Sequence, residues 1–408
     1  MAVKNILYIE ANLDGTIGGS YYSLFGTVKR IDKSKFNPTV TFYQDNMLTP
    51  EFKKYCKVII LDPGGLVIKK DYPSLYAFSK KIPLAKKILL LYQKAYNFLR
   101  YYVIFYLKVI YILLRYNIDL IHANNAPEIT PWLITSKFVG IKCISHLRGN
   151  WSPTPLQKRL AKYYNSIISI SNSVTHYVKE KGINIDNFIT IYDGIDITAV
   201  LNMRKRKSDD LRRELNVSDK HFLVGIIGNF KNWKGQHVAV EAAKLLKDKY
   251  PHIKYLFIGA VSNLEEDKKY YQYVKDMVNR SGLNRDVIFT GFRTDIQDII
   301  SVLDILVHTS IAPEPFGRVI LEGMIFSKPV IATAHGGPLE IIEDGLSGFL
   351  IPPSDPKALA KKIDYLITNH AIRQQVGICG RKRVEEYFNI ETNVRQIEQV
   401  YSKHLGGS

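Results

Sequence analysis

The sequence predicts an α/β chain of two doubly wound units facing each other across a cleft. Three observations carry that expectation. A chain of 408 residues is too long for one ordinary core. Short β-branched runs alternate with helical stretches and glycine turns, as in parallel βαβ units. That pattern also runs through once, halts in a charged stretch, and starts again. With 46% hydrophobic and 23% charged residues and no low-complexity tract, the composition is that of a folded globular protein.

The first unit opens on the apolar run "NILYIE", the glycine-bearing loop "ANLDGTIGGS" and the helix-like "YYSLFGTVKRI". "KVIILD", "IDLIHAN", "KCISHL" and "SIISIS" are further strands bounded by turn residues, and the unit closes near "FITIYDGIDITAV". The charged stretch "LNMRKRKSDDLRRELNVSDKH" carries no strand pattern, so the boundary is expected near residue 197. The second unit then repeats the grammar. It starts with strand and turn "FLVGIIGNFKNWKG", strand "KYLFIGA", an exposed helix "NLEEDKKYYQYVKDMV", strand "VIFTG", helix "TDIQDIISVL" and strand "DILVHTS". Strand "KPVIAT", the loop and helix "HGGPLEIIEDG", strand "GFLIP" and helix "DPKALAKKIDYLI" follow. The expected domains are 1–197 and 198–385, with a C-terminal helix in 386–408 packing back on the first. In such sheets ligands bind outside the carboxyl ends of the strands.

Cys56, Cys143 and Cys379 are too scattered for a zinc site or a disulfide framework, and read as buried thiols in a reducing compartment. The N-terminal apolar run is far shorter than a signal-peptide core, so a cytoplasmic location is expected. A formal charge of +18 favours anionic partners. No helix-turn-helix, RNP or zinc-finger pattern accompanies it, which argues against nucleic acid. Residues 80–115 hold basic, Leu, Ile, Tyr and Phe residues without a single acid. No uncharged run there is long enough to span a bilayer. Two readings stand for this segment: helices lying on an anionic membrane interface, or core faces with a solvated lysine rim.

"EPFGRVILEG" (314–323) links the strand "DILVHTS" to a helix beginning near Gly317. Glu314 then lies in the loop before the helix, free to reach a polar ligand, and Glu322 lies on the helix about one turn beyond Arg318. The backbone N–H groups of Phe316, Gly317, Arg318 and Val319 form a helix N-terminus, which attracts anions. Gly317 permits close approach and Arg318 adds charge. A carboxylate on either side of a phosphate cradle matches a nucleotide sugar, with ribose hydroxyls at one end of a diphosphate and sugar hydroxyls at the other. In "GNFKNWKG", Lys234 opens the next helix, again where a phosphate would sit. "TIGGS" places Gly18 and Gly19 at the first strand-to-helix turn of the other unit.

With "GNFKNWKGQ", "VIFTGFRTDI", "EPFGRVILEGM", "KPVIATAHGGPLEIIEDGLSGFLIPP" and the earlier "GTIGGS", the chain resembles the retaining glycosyltransferases of family 4, which have the two-domain, Rossmann-like GT-B fold. The resemblance covers residues 200–360 well and the first unit loosely. It implies that Glu314 contacts the donor sugar, Phe316 to Val319 the diphosphate, Glu322 the ribose hydroxyls and Lys234 the diphosphate. Asn229 stands where the family often has arginine, with Lys231 close by in sequence. Arg293 falls where the family reads the base through backbone, and Asp193 where asparagine is usual. His146, ending "KCISHL" ahead of Arg148 and Trp151, lies where the family often keeps a histidine near donor sugar and acceptor. His335 is weaker, since Gly336, Gly337 and Pro338 suffice to start a helix, and His308 reads as a strand-packing residue.

No Asp-X-Asp motif occurs in the sequence, so no metal or cofactor is called for, and Lys234, Arg318 and the helix end would neutralise the leaving group. The expected reaction moves a hexose or related sugar from a UDP- or GDP-linked donor to a glycan or lipid-linked glycan acceptor, with retention. Glu314 and Glu322 straddle a phosphate site, which disfavours a paired-carboxylate glycosidase. Two rivals stay open: a nucleotide-sugar 2-epimerase-like isomerase, and a non-catalytic binding member of the fold.

Overall fold

The computed structural model describes residues 2–11, 18–62, 88, 91, 92, 95, 96, 98–125 and 130–406. The chain divides into two units: Met1–Ile168, Val178–Ile189 and Ile397–Ser408 form the first, and Ser169–Tyr177 with Thr190–Gln396 the second. The change of unit thus begins well before residue 197. Ser171 Oγ donates to the Pro315 carbonyl at 2.7 Å, and Glu340 accepts from the amides of Asn172 and Ser173 at 2.8 Å each. Ile195 bridges Asn389, which keeps this stretch with the second unit too. Of the C-terminal residues, only Ile397–Ser408 belong to the first unit. There Glu398 accepts from the Asp32 amide at 2.7 Å and Tyr401 is fully buried.

The first unit holds a seven-stranded sheet in the order β3-β2-β1-β4-β5-β6-β7. Its strands are β1 (Lys4–Glu10), β2 (Phe36–Phe42), β3 (Lys57–Ile60), β4 (Leu120–Asn124), β5 (Lys142–Leu147), β6 (Ser166–Ser169) and β7 (Phe188–Thr190). β1 pairs in parallel with β2 on one side and β4 on the other, so the strand order reverses between β1 and β4. Near-continuous apolar runs are what a strand buried on both faces requires, and Ile6, Leu7, Ile9, Leu120, Ile121 and Ile144 are fully buried. Register sets Glu10 opposite Asn124 and Asn124 opposite His146, one row across the carboxyl ends of three strands.

Part of the basic segment 80–115 lies outside the described residues. Its last helix, Phe105–Arg115, buries Phe105, Val109, Ile112 and Leu113 at helical spacing, while Leu107, Tyr111 and Leu114 are exposed. Among the described residues no helix is long and apolar enough to cross a membrane. Cys143 is buried as expected, whereas Cys56 and Cys379 are only half buried.

The second unit holds a six-stranded sheet in the order β10-β9-β8-β11-β12-β13, parallel throughout. Its strands are β8 (Phe222–Ile227), β9 (Ile253–Ile258), β10 (Val287–Gly291), β11 (Ile305–His308), β12 (Val330–Thr333) and β13 (Phe349–Ile351). Here the order reverses between β8 and β11. The helix Glu265–Arg280, expected to be exposed, buries Asp267, Tyr270, Val274 and Val278 on one stripe. Its charges outnumber its apolar residues, yet the stripe alone suffices to dock it.

The ends of β8 and β9 approach so closely that side chains are excluded. A Cβ on Gly259 would lie 2.1 Å from the Gly228 carbonyl oxygen and 3.0 Å from the Asn229 nitrogen. Gly259→Ala must therefore part the two turns. Urea unfolding is expected to show a loss of about 1–3 kcal/mol with an unchanged m-value.

Candidate functional site

Two peptide segments distant in sequence meet at the carboxyl ends of β8 and β11. After β8, the 3₁₀ turn Asn232–Lys234 leads to Gly235, whose φ of +66° is left-handed, and then to the helix Gln236–Leu246. Thr309 Oγ1 donates to the Lys234 carbonyl at 3.0 Å, and the Ile311 amide to Trp233 at 2.8 Å. A Cβ on Gly235 would sit 2.1 Å from the Thr309 carbonyl oxygen, so glycine is what lets the turn dock on the exit of β11.

This docking brings Lys234 to Glu314. Glu314 Oε2 accepts from Lys234 Nζ at 2.6 Å, from His308 Nε2 at 3.0 Å and from Ser310 Oγ at 3.0 Å. Burial pushes the Glu314 carboxyl up, but the His308 hydrogen bond and the Lys234 charge outweigh it and hold the group well below the usual carboxylate range. Glu314 is thus not the free loop carboxylate expected from sequence. Its residue is 8% exposed, and its backbone is pinned, with its amide donating to His335 at 3.2 Å and its carbonyl accepting from Gly337 at 2.7 Å. A Cβ on Gly336 would lie 2.3 Å from the Glu314 carbonyl oxygen, and one on Gly337 2.3 Å from that of Phe316. The two glycines of "HGGP" are there for close approach as well as for starting a helix.

Sequence reasoning missed His308 and Ser310 as members of this group. The usable signal was their spacing: residues two apart at a strand end point the same way, and the loop carrying Glu314 returns over them.

The helix Arg318–Ile325 starts from Gly317, whose φ of +108° favours glycine. Among the described residues the amides of Phe316, Gly317 and Val319 have no hydrogen-bond partner. The Phe316 ring is buried and stacks on Tyr192 at 6.2 Å, which anchors the loop from below. Arg318 pairs with Asp193 at 3.7 Å, accounting for the buried aspartate. Glu322 follows one turn later, its carboxyl pushed up by burial and pulled down by Arg318.

Two further expected residues have protein partners for their side chains. Asn229 Oδ1 accepts from the Ala260 amide at 3.2 Å, joining the β8 and β9 turns. Arg293 binds Asp295 at 2.8 and 2.6 Å and also pairs with Glu214, in a network that includes Arg206. Its guanidinium holds the loop after β10 to residues 206–214, a structural task.

In the first unit, Gly18 and Gly19 are exposed at the start of the helix Gly19–Arg30, and a Cβ on Gly18 would meet nothing within 4 Å. Residues 12–17, the rest of that loop, lie outside the described residues. His146 is fully buried at the end of β5, with its Nδ1 3.1 Å from His122 Nε2. His122 Nδ1 is 2.6 Å from the Tyr401 hydroxyl. In the same row Asn124 donates to the buried Glu10 and accepts from Arg148 Nε at 2.9 Å. Desolvation raises the Glu10 carboxyl to about 7, against the lowering effects of Asn124 and Arg148.

The ion pair and the buried acid give separate expectations. Removing Lys234 as Lys234→Met leaves Glu314 buried without its cation, and should destabilise the protein by about 3 kcal/mol, a loss that Glu314→Gln in the same chain partly restores. For Glu10 the folded pKa lies above the unfolded one, so its stabilising contribution is complete below about 4.3 and is lost as pH rises through 7. The difference in stability between wild type and Glu10→Gln, measured by urea titration at pH 5 and pH 8, should therefore move in favour of the variant at pH 8. A difference that does not change with pH would contradict this.

Comparison with known proteins finds relatives for much of this chain. Residues 207–383 match the family model of glycosyl transferases group 1. The putative glycosyltransferase EpsD of Bacillus subtilis (strain 168) is 29% identical over 254 residues, covering 62% of this chain and 64% of that protein. The capsular polysaccharide biosynthesis glycosyltransferase CapM of Staphylococcus aureus is 26% identical over 255 residues, covering 61% of this chain and 65% of that protein. In both cases the match spans less than two thirds of the relative's own length. The crystal structure of Anabaena Alr3699/HepE in complex with UDP and glucose aligns over 97% of this chain and 99% of that one, with 25% identity and a TM-score of 0.76. Residues 207–383 thus carry the match to the glycosyl transferases group 1 family, and the chain's two Rossmann-like sheets are those of the GT-B fold.

Proposed function

We propose that the protein is a retaining glycosyltransferase of family 4 that moves a hexose or related sugar from a nucleotide-diphosphate sugar to a glycan or lipid-linked glycan acceptor in surface polysaccharide synthesis. The observation that carries this reading is the Lys234–Glu314 pair beside a glycine-started helix whose first amides are unpartnered. That arrangement suits a diphosphate next to hydroxyls. The amides of Phe316, Gly317 and Val319, with Lys234 and Arg318, would hold the diphosphate and stabilise the charge that develops on it as the glycosidic bond breaks, without a metal ion. Glu322 would take the ribose hydroxyls and Glu314 the donor sugar. The departing phosphate would accept the acceptor's proton on the face it has just left, which retains configuration. The UDP and glucose held by the HepE structure make a UDP-linked sugar the first donor to test.

We assign the work to the cytoplasmic face of the membrane. The exposed Leu107, Tyr111 and Leu114 beside Lys108 and Arg115 support an interfacial role for this helix. Flotation with liposomes containing anionic lipid should carry the protein upward at low salt, and its remaining at the bottom would sink this part of the reading.

For the reaction, a thermal-shift panel of UDP, GDP and their sugars should single out one base, with a gain of about 2.7 kcal/mol at a hundredfold excess over Kd. Nucleotide release should depend on a glycan acceptor. Release that ignores the acceptor would favour an isomerase, and none at all a binding protein. Glu314→Gln should lower kcat by about 10²–10³-fold with little change in nucleotide affinity, and full activity in that variant would remove Glu314 from the chemistry.

A further inference from the structure

The hydrogen bonds around His146 have a direction. Tyr401 Oη donates to Tyr8 Oη at 2.9 Å, which uses the one proton that its hydroxyl carries. The 2.6 Å contact between Tyr401 and His122 Nδ1 must then run the other way, with Nδ1–H donating to the tyrosine oxygen. A neutral imidazole has a single N–H, so His122 Nε2 is a bare acceptor. Its 3.1 Å neighbour, His146 Nδ1, has to supply the proton for that contact. His146 Nε2 is left as a lone pair.

The surroundings support the same result independently. His146 Nε2 is buried and has no partner among the described residues. A buried N–H without an acceptor is rarer in folded proteins than an under-used acceptor, so the tautomer that leaves a lone pair there is the less costly one. Both rings are neutral: burial first, and the Arg148 charge after it, push each well below the usual histidine range. His146, near the end of β5, also continues the row of Glu10 and Asn124, which lie at the carboxyl ends of the two strands flanking the order reversal, where doubly wound sheets take their ligands.

We propose that Tyr401, on the C-terminal helix, acts with Tyr8 and His122 to hold His146 in its Nδ1–H form, so that Nε2 accepts a hydrogen bond from a sugar hydroxyl. Tyr8, His122 and Tyr401 are then positioning residues. The tautomer follows from this structure alone, while the sugar hydroxyl as its ligand rests on the transfer reading given above.

The test is a long-range ¹H–¹⁵N spectrum of the full chain labelled at histidine, with resonances assigned from His122→Gln and His146→Gln. In the wild type both rings should carry their proton on Nδ1. Tyr401→Phe removes the acceptor for His122 and leaves one buried N–H unmet in either tautomer, so the preference of His146 for Nδ1–H should be lost. The ratio of the two His146 forms should shift by about tenfold or more. Tyr8→Phe keeps the Tyr401 hydroxyl but frees its proton to turn toward His122 Nδ1, and should weaken the preference in the same way. This second variant decides the matter where Tyr401→Phe does not fold. His146 protonated on Nε2 in the wild type, or unchanged in the variants, overturns the proposal, even if activity falls. UDP-glucose and GDP-mannose consumption is measured alongside. The expected tautomers in a protein that consumes neither uphold the relay and withdraw only the sugar hydroxyl as its ligand.

Discussion

A carboxylate taken out of water needs its charge answered nearby, and much of the second unit is arranged around that need at Glu314. Lys234 comes from the turn after β8, His308 from the end of β11, and Ser310 from two residues further on. These groups converge only where backbone segments approach more closely than side chains allow. Gly235 lies against the Thr309 carbonyl, Gly336 against Glu314 and Gly337 against Phe316. The glycines, the left-handed turn and the start of the helix at Gly317 thus follow from one electrostatic demand. The demand also leaves a lysine beside open amide groups, the chemistry that suits a phosphate ester.

The first unit solves a different problem in the equivalent part of its sheet. Several of its buried polar groups bond to one another along the row of strand ends. Asn124 serves Glu10 and Arg148 together, and His122 connects His146 to the tyrosines. Tyr401 reaches this cluster from the last helix of the chain, so the first unit's polar centre is completed by residues from opposite ends of the sequence.

Most strands were legible as β-branched runs, and "NILYIE", "FLVGII" and "DILVH", buried along nearly their whole length, admit little else, whereas β2, with Asn37 and Pro38 in its run, was not foreseen. The helix at Gly317 was legible for a comparable reason, since a Pro-Phe-Gly turn after a buried strand leaves few ways to continue. The helix Glu265–Arg280 is largely exposed, as its charges suggested, and the one buried stripe that docks it is the part those charges mask. Arg293 was expected to meet the ligand through its backbone, and the structure adds that its side chain holds Asp295 and Glu214. An arginine's partners are set by what folds against it, which local sequence does not record.

The same distinction runs through the whole protein. Periodicity, glycine turns and a charged interruption were enough to establish two parallel α/β units, because strand and helix formation depend on neighbours a few residues apart. They also established that a helix N-terminus follows Glu314. Which groups would meet there was a matter of folding: Lys234 lies 80 residues from Glu314 along the chain, and His122 lies 279 from Tyr401. Such pairs exist only once parallel strands are laid side by side, and the protonation of Glu314, Glu10 and the two histidines depends on the burial that this packing creates.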